Sequence, residues 1–388
     1  MVIGLLLLTL IIHQMAVTLI VTHKINSERR TIGDDLLSRY TTDKGHEERN
    51  KTEENITTSD GQVPRESTQH QPTSFMGNLP DCVHNQSTFH GREPITMKYH
   101  QWNHLEKMFA DTVAGRWRPM QCQAKFRVAI IIPYKDRDPH LKLFIANVLP
   151  KLQRQQLDYT IYVVEQTPEN HFNRGMMRNI GFVEASKHAK YDCYVFNDVD
   201  TLIEDDRNLF MCDNLFQQKI HHIGAFVDMF DYKLLYEKLI GGILSVTYKQ
   251  FVKANGYSNC FFVWGGEDDN LCHRFHSLGY QVIRPSEKVG HITTLFHERD
   301  PEVNERNVVL KKVRNHTYTD GLNTLQDKYT LVVREERKLF TWLYVRVNEE
   351  LIKHYIASIP TPKPPPPKLR KKQVNGRRNA HAVNGRRS

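Results

Sequence analysis

An alternation of apolar runs between residues 127 and 196 constrains the fold more than any other feature. The sequence RVAIIIPY (127–134) is a continuous, largely β-branched run that ends at a turn, which is typical of a strand buried on both faces. The elements predicted after it are a helix at 139–156, a strand at 159–165, a helix at 174–188 and a strand at 191–196. Strands alternating with helices favour a parallel sheet with crossover helices. The predicted fold class is α/β, with a mostly parallel central sheet flanked by helices.

Charged residues follow two of these predicted strands. Lys135-Asp136-Arg137 comes directly after the first strand, and Asp198-Val199-Asp200 comes after the third. Parallel sheets bind ligands outside the carboxyl ends of their strands, so we expect a site here. Carboxylates spaced as Asp-x-Asp suit Mg²⁺ or Mn²⁺, although chance and loop solvation also produce the pattern. The chain contains no G-x-G-x-x-G and no P-loop motif, which argues against an ordinary dinucleotide or ATP site.

A second acidic cluster occurs in the sequence FFVWGGEDDN (261–270). The two glycines allow the backbone to approach a ligand, and the tryptophan offers an apolar face for a sugar ring. Acidic residues are also favourable at a helix N-terminus. That explanation accounts for the acids at 267–269 but not for the Trp-Gly-Gly beside them.

The net charge of +9 does not predict a nucleic-acid-binding protein. Nine of the 53 basic residues lie in residues 361–388, which contain no acidic residue, and the remaining 44 match the 44 acidic residues. Residues 359–388 are rich in proline, contain Val-Asn-Gly-Arg-Arg twice, and are expected to be a disordered, solvated tail. Binding of this tail to acidic lipid or glycan is the alternative.

The first residues of the chain form an apolar run. Residues 2–22 carry no formal charge and match the length of a bilayer-spanning helix. We expect residues 1–22 to be a signal anchor rather than a buried core helix, because polar sequence follows. A cleaved signal peptide is disfavoured because no small-residue cleavage site follows. The basic residues lie after the run, so charge alone leaves its orientation ambiguous.

Other features favour a lumenal location for the rest of the chain. Four sequons provide candidate glycosylation sites, at Asn50, Asn55, Asn85 and Asn315. The six cysteines show neither C-x-x-C nor a zinc-like spacing with histidine, and their even number suggests disulfides. Residues 23–78 are polar and poor in aromatic residues, which predicts a disordered lumenal stem. The folded domain is then residues 79–358.

Seven sequence blocks resemble the β1,4-galactosyltransferase family in order and spacing. The blocks are VAIIIPYKDRDPHL, FNRGMMRNIGF, FNDVD, GGILSVTYKQF, NGYSNCFFVWGGEDDN, VGHITTLFHERD and DGLNTL. The resemblance extends from about Cys82 to residue 347 and implies a GT-A-like fold in a single-pass type II Golgi membrane protein. It also implies Mn²⁺-dependent, inverting transfer from a UDP-sugar to a glycan that ends in β-GlcNAc.

The resemblance assigns roles to individual residues. Those implied to bind the UDP-sugar are Pro133, Tyr134, Lys135, Arg137, Phe172, Arg174, Asp198, Val199, Leu239 and Trp264. Asp200 and His297 are implied to bind Mn²⁺, with Thr294 at a position where the family often has methionine. Threonine is a harder and weaker ligand, so the third ligand position is a departure. Lys135 is another departure, because the family usually has arginine there and lysine cannot pair bidentately.

The resemblance also assigns the catalytic and acceptor residues. Asp268 is implied to be the catalytic base, assisted by Glu267. The acceptor residues are implied to be Trp264, Gly265, Gly266, Glu267, Asp268, Asp269, Arg306, Asn307 and Leu310. Disulfides are implied between Cys82 and Cys122 and between Cys193 and Cys212. The state of Cys260 and Cys272 stays open.

Leu239 bears on the donor sugar. Galactose-specific members of the family have tyrosine at this position, and a smaller aliphatic side chain leaves room for an N-acetyl group. The exchange resembles invertebrate members that transfer N-acetylgalactosamine, so we expect transfer of that sugar to GlcNAc on glycolipids or glycoproteins. One pocket residue changes specificity by about 1–3 kcal/mol, so use of both donors remains open.

Other functions stay open as alternatives. They are a galactosyltransferase that uses UDP-galactose, an inactive glycan-binding protein and a two-metal hydrolase. Joint retention of Asp200, His297 and Asp268 disfavours an inactive binder, which needs none of them. The expected partners are the donor, the glycan acceptor and a membrane, with no nucleic acid.

Overall fold

A computed structural model describes residues 79–83, 88–212, 218–263, 265–297 and 306–360. The predicted anchor (1–22), the predicted stem (23–78) and residues 361–388 of the predicted tail lie outside these ranges. Within them, no helix combines the length and apolar character needed to cross a membrane.

The described residues form twelve strands and seven α-helices. The strands are β1 (Arg116–Trp117), β2 (Arg127–Tyr134), β3 (Asp158–Gln166), β4 (Cys193–Asn197), β5 (Thr201–Ile203), β6 (Lys219–His222), β7 (Phe226–Val227), β8 (Ile243–Thr247), β9 (Gln281–Ile283), β10 (His291–Thr294), β11 (Tyr329–Glu336) and β12 (Thr341–Val347). The helices are α1 (Trp102–Met108), α2 (Asp138–Arg154), α3 (Arg174–His188), α4 (Tyr248–Lys253), α5 (Glu267–Ser277), α6 (Arg306–Val313) and α7 (Glu349–Ser358).

The central sheet has the strand order β11-β12-β3-β2-β4-β8-β6-β9, with β1 paired to β3. Its middle strands β12, β3, β2 and β4 run parallel, as the alternation of strands and helices predicts. The predicted α/β fold class is confirmed. Strands β8 and β11 join the sheet in the antiparallel direction, which the sequence pattern did not indicate.

Strand β2 shows why the sheet is buried on both faces. Val128, Ile130 and Ile132 belong to the core on one face, which contains α2, and Ala129 and Ile131 belong to the core on the other face, which contains α3. Strand residues alternate between faces, so a strand covered on both sides is apolar throughout.

Helix α3 approaches the sheet closely at Gly181. A Cβ at this position would lie 2.4 Å from Cγ2 of Ile131 and 2.9 Å from Cγ2 of Val164. Only glycine permits this approach, which fixes α3 and the arginines of its first two turns against the carboxyl ends of the strands.

A small second sheet, β5-β10-β7, follows the Asp198–Asp200 segment. Thr294 of β10 pairs with Thr201 of β5, and the Leu295 amide donates to the Asp200 carbonyl at 2.8 Å. This pairing brings the end of β10 beside Asp200.

The implied disulfides Cys82–Cys122 and Cys193–Cys212 are both present. Cys260 and Cys272 are free and buried.

Candidate active site

A cavity of about 490 Å³ opens at the carboxyl ends of β2 and β4. Nine residues assigned from the sequence to the donor or the metal line it: Pro133, Lys135, Arg137, Phe172, Arg174, Asp198, Val199, Asp200 and His297. The location is the one expected for a ligand of a parallel sheet. We refer to it below as the donor cavity.

Two residues expected to bind the donor lie elsewhere. Tyr134 is buried in the core with 6% of its surface exposed, because it follows Pro133 in β2 and successive strand side chains point to opposite faces. Leu239 is not among the residues that line the donor cavity, and its Cδ1 lies close to Gly241. Trp264 is outside the described residues.

Asp200 lies between two groups that could carry positive charge. Its Oδ2 is 2.9 Å from Nε2 of His297 and 3.8 Å from Nη1 of Arg137. Burial alone would raise the pKa of Asp200, but the hydrogen bond with His297 and the charges of Arg174 and Arg137 hold the pKa below its usual value. The Nη1 atom of Arg137 is buried and forms no hydrogen bond with any described residue. An anionic ligand in the cavity would provide the missing acceptor.

The pair Asp200–His297 fits a divalent cation. Oδ2 of Asp200 and Nε2 of His297 lie 2.9 Å apart, so both atoms could bind one ion. Carboxylate oxygen and imidazole nitrogen are both accepted by Mn²⁺-type ions. Among the described residues, no group of three or more His, Cys, Asp and Glu side chains could hold a metal. Thr294 pairs with Thr201, the residue after Asp200, and its amide donates to Oδ1 of Asp228 at 3.0 Å.

Arg178 connects the donor cavity to the second acidic cluster. Its guanidinium donates to Oδ1 of Asp198 at 2.7 Å and to Oδ1 of Asp268 at 2.8 Å. The side chain is 1% exposed and its guanidinium carbon lies 4.9 Å from the centre of the Tyr257 ring. Burial alone would lower the pKa of Arg178, but the neighbouring acidic groups raise it, so the guanidinium stays charged.

Glu267 is buried against the two arginines of α3. Its Oε1 accepts from Nη1 of Arg174 at 3.1 Å and lies 3.8 Å from Nη1 of Arg178. The side chain is 2% exposed. In this structure Glu267 therefore orients Arg174, which lines the donor cavity.

Asp268 has the properties of a general base. Burial raises its pKa to about 7; Arg178 opposes the rise, whereas Glu267 and Asp198 add to it. A base is most effective when its pKa lies near the working pH. Asp268 follows two glycines with positive φ, Gly265 and Gly266, and lies in the first turn of α5.

Gly241 adjoins both Asp268 and Leu239. A Cβ at Gly241 would lie 2.7 Å from Oδ2 of Asp268 and 3.8 Å from Cδ1 of Leu239. The Gly241 carbonyl bonds with Nε2 of His222 at 2.8 Å, and burial lowers the pKa of His222 to about 3. Arg284 donates to the Leu239 carbonyl at 3.0 Å. A neutral histidine and an arginine thus fix the backbone that carries Leu239.

The other residues expected to bind the acceptor lie at the start of α5 and in α6. Phe261 packs against Gly266, where a Cβ would lie 2.7 Å from Cε1 of the ring. Asp269 accepts a hydrogen bond from the Tyr236 hydroxyl at 3.0 Å. In α6, Asn307 is exposed, Leu310 is half-buried, and nothing is described for the Arg306 side chain.

One candidate glycosylation site lies within the described residues. Asn315 is exposed, whereas Asn50, Asn55 and Asn85 lie outside the described ranges.

The chain is similar to known glycosyltransferases. Two family models match, "N-terminal region of glycosyl transferase group 7" over residues 82–213 and "N-terminal domain of galactosyltransferase" over residues 221–298. The chain is 34% identical over 277 residues to beta-1,4-galactosyltransferase 5 of Danio rerio, covering 70% of this chain and 71% of that protein. The chain belongs to the β1,4-galactosyltransferase family.

Other relatives match over a shorter length. Beta-1,4-galactosyltransferase 6 of Homo sapiens is 39% identical over 239 residues, which is 61% of each protein. Among solved structures, the catalytic domain of Drosophila beta1,4galactosyltransferase 7 in complex with xylobiose is 25% identical, with a TM-score of 0.51. That match covers 60% of this chain and 99% of the solved one.

Sequence reasoning on this galactosyltransferase-family chain missed Arg178 and His222. Arg178 had a usable signal, because it lies four residues after Arg174 and i,i+4 residues share one face of a helix. His222 had none, since its partner Gly241 is identified only by the folded backbone.

Proposed function

We propose that this chain transfers a hexose from a UDP-sugar to the 4-hydroxyl of a terminal β-GlcNAc, with inversion. The observation that carries the proposal is the position of Arg178. It bonds to Asp198 in the wall of the donor cavity and to Asp268 outside it, so the candidate base lies next to the donor cavity. One base and a stabilised diphosphate leaving group suffice for a single in-line displacement.

Different residues would bind the diphosphate, remove the proton and hold the metal ion. Arg137 and Arg174 would neutralise the diphosphate, and Asp268 would take the proton from the acceptor hydroxyl. Asp200 and His297 would hold a divalent ion, Mn²⁺ in our proposal, which would supply positive charge at the diphosphate. An inactive glycan-binding protein would not require a carboxylate whose pKa lies near 7 beside such a cavity.

For the donor we propose UDP-N-acetylgalactosamine. Leu239 and Asp268 both lie close to Gly241, since a Cβ there would be 3.8 Å from Cδ1 of Leu239 and 2.7 Å from Oδ2 of Asp268. If the transferred sugar lies beside Asp268, an aliphatic side chain at position 239 would leave more space beside its C2 than a tyrosine would. UDP-galactose is the second candidate, since the matched relatives carry that activity in their names.

The acceptor and the cellular location belong to the same proposal. A saccharide acceptor is supported by the related solved structure, which contains xylobiose. We place the chain in the Golgi membrane, with residues 1–22 as anchor, residues 23–78 as stem and residues 79–358 as the lumenal catalytic domain. The sequon at the exposed Asn315 is consistent with that orientation.

Donor competition tests the proposal. The detergent-solubilised full chain is given Mn²⁺, a β-GlcNAc acceptor, and UDP-galactose or UDP-N-acetylgalactosamine, and product mass is measured. We expect faster transfer of N-acetylgalactosamine, and Leu239→Tyr should reverse the preference. The exposed Leu235 provides the control, because Leu235→Tyr should leave the preference unchanged. Faster galactose transfer by the unmodified chain would overturn the donor assignment, and no product from a folded chain would overturn the enzyme assignment.

A further inference from the structure

We propose that Glu349, the first residue of α7, is a positioning residue that holds one wall of the donor cavity in place. The inference rests on the proposed function, since it concerns how the same cavity binds its nucleotide. Glu349 itself does not line the donor cavity. It lies beyond residue 298, where the match to the family models ends.

The wall in question is the segment 168–172, which follows β3 and precedes α3. All five of its residues line the donor cavity, and none belongs to a helix or strand. Its conformation therefore depends on contacts made by individual residues rather than on a backbone ladder.

Glu349 contacts His171 in this segment twice. Its Oε2 accepts from the His171 amide at 3.0 Å, and its Oε1 lies 2.9 Å from Nδ1 of the imidazole. The carboxylate is 6% exposed, whereas the His171 ring is 65% exposed. The backbone bond is thus the better shielded of the two, and a carboxylate that accepts from an amide forms one of the stronger hydrogen bonds in proteins.

Neighbouring contacts show that the junction of β12 and α7 holds the segment as a unit. The Asn170 side chain donates to the Val347 carbonyl at 2.7 Å, two residues before Glu349. From the other side, Lys135 donates to the Asn170 carbonyl at 2.5 Å. A residue of the donor cavity and the start of α7 therefore hold the same short segment.

Close packing does not replace these bonds. On the α7 side of His171 lies a second cavity of about 360 Å³, lined by His171, Glu349, Lys353 and apolar residues including Phe261 and Val309. Within the segment, His171 is the residue that borders this space. Loss of the Glu349 bonds leaves the His171 backbone held by the Gln166 side chain, which donates to its carbonyl at 2.8 Å, and gives His171 room to shift relative to the nucleotide.

Loss of the Glu349 bonds should weaken nucleotide binding more than it lowers kcat. In Glu349→Ala we expect the Kd for UDP with Mn²⁺, and the donor KM, to rise about tenfold, the order expected for one charge-assisted hydrogen bond. The kcat and the acceptor KM should change less than threefold. Glu349→Gln keeps an oxygen that can accept from the His171 amide, so it should recover most of the affinity.

Lys353 provides the matched control. It bonds to the same Oε1 of Glu349 at 2.9 Å and its side chain is 63% exposed. Lys353→Ala removes a partner of the carboxylate on α7 without touching His171, so nucleotide affinity should stay within twofold of the unmodified value. Thermal unfolding of each full-chain variant shows whether α7 and the domain stay folded.

Calorimetric titration of the full chain with UDP and Mn²⁺ decides the matter. Weakened binding in Glu349→Ala, recovery in Glu349→Gln and unchanged binding in Lys353→Ala support the proposal. Equal affinities in all variants, or equal losses in Glu349→Ala and Lys353→Ala, overturn it. If the unmodified chain does not bind UDP, the proposed function itself fails, and that result is distinct from the others.

Discussion

Nη1 of Arg178 lies 2.8 Å from Oδ1 of Asp268, although 90 positions separate the two residues along the chain. The bond joins α3 to α5, and the other prong of the same guanidinium reaches Asp198 at the end of β4. One buried arginine thereby fixes the candidate base relative to the donor cavity.

Asp268→Asn should abolish most of the activity without preventing nucleotide binding. Asparagine retains an oxygen for Arg178 but cannot take a proton, so kcat should fall by about 10²–10⁴. Steady-state kinetics gives kcat, and calorimetry gives the UDP affinity. Asp111, which is exposed, supplies the control Asp111→Asn. A kcat in Asp268→Asn within threefold of the unmodified enzyme would remove Asp268 from the mechanism.

The pH profile should report the same carboxylate. Burial raises the pKa of Asp268 to about 7, and the base works only when ionised. The kcat/KM should therefore rise about tenfold per pH unit below this value and become level above it. The residual activity of Asp268→Asn should not show this rise with pH. An unmodified enzyme whose rate is level through the neutral range would contradict the assignment.

Arg178→Met should lower both stability and activity. The change removes the guanidinium that bonds to both Asp198 and Asp268, while Arg174 remains beside Glu267. Breaking a buried charge pair by removing one partner costs about 3–5 kcal/mol. The urea midpoint of the full chain measures the effect. Arg314→Met, at an exposed position, should change the free energy of unfolding obtained from this midpoint by less than about 0.5 kcal/mol. An unchanged midpoint in Arg178→Met would show that the carboxylates do not depend on this arginine.

His297→Ala should weaken Mn²⁺ binding. The imidazole is one of the two described side chains that fit the ion, so we expect at least about a tenfold rise in the Mn²⁺ Kd, measured by the paramagnetic resonance signal of free Mn²⁺. The exposed His354 provides the control variant His354→Ala. Mn²⁺ binding that is equal in both variants would place the metal elsewhere.

The centre of the fold could be predicted because its elements have local signatures. The observed bounds of β2 and α3 match the predicted ones, and α2 and β3 differ from theirs by one or two residues at each end. Apolar continuity in strands and apolar periodicity in helices depend on neighbours along the chain, which the sequence displays. The antiparallel partner β8 has a comparable apolar run, but which strand it joins depends on contacts distant in sequence.

The site was predictable to the extent that its residues follow strand ends or recognised motifs. Asp198, Asp200 and Arg137 were found in this way, and they do line one cavity. Tyr134 is buried in the core and is not among the residues that line the cavity, which the motif could not indicate because it does not state which face of a strand a residue occupies. The bonds between Glu349 and His171 could not be predicted, since the two residues lie 178 positions apart and neither belongs to a motif.

Strand register also determines the geometry of the candidate metal site formed by Asp200 and His297. Asp200 and His297 meet because Thr294 pairs with Thr201 and the Leu295 amide bonds to the Asp200 carbonyl. A slip of one residue along β10 would displace His297 by about 3.3 Å and turn the strand's side chains to the opposite face. Insertions and deletions between Gly290 and His297 should therefore be far less tolerated than point substitutions in the same strand.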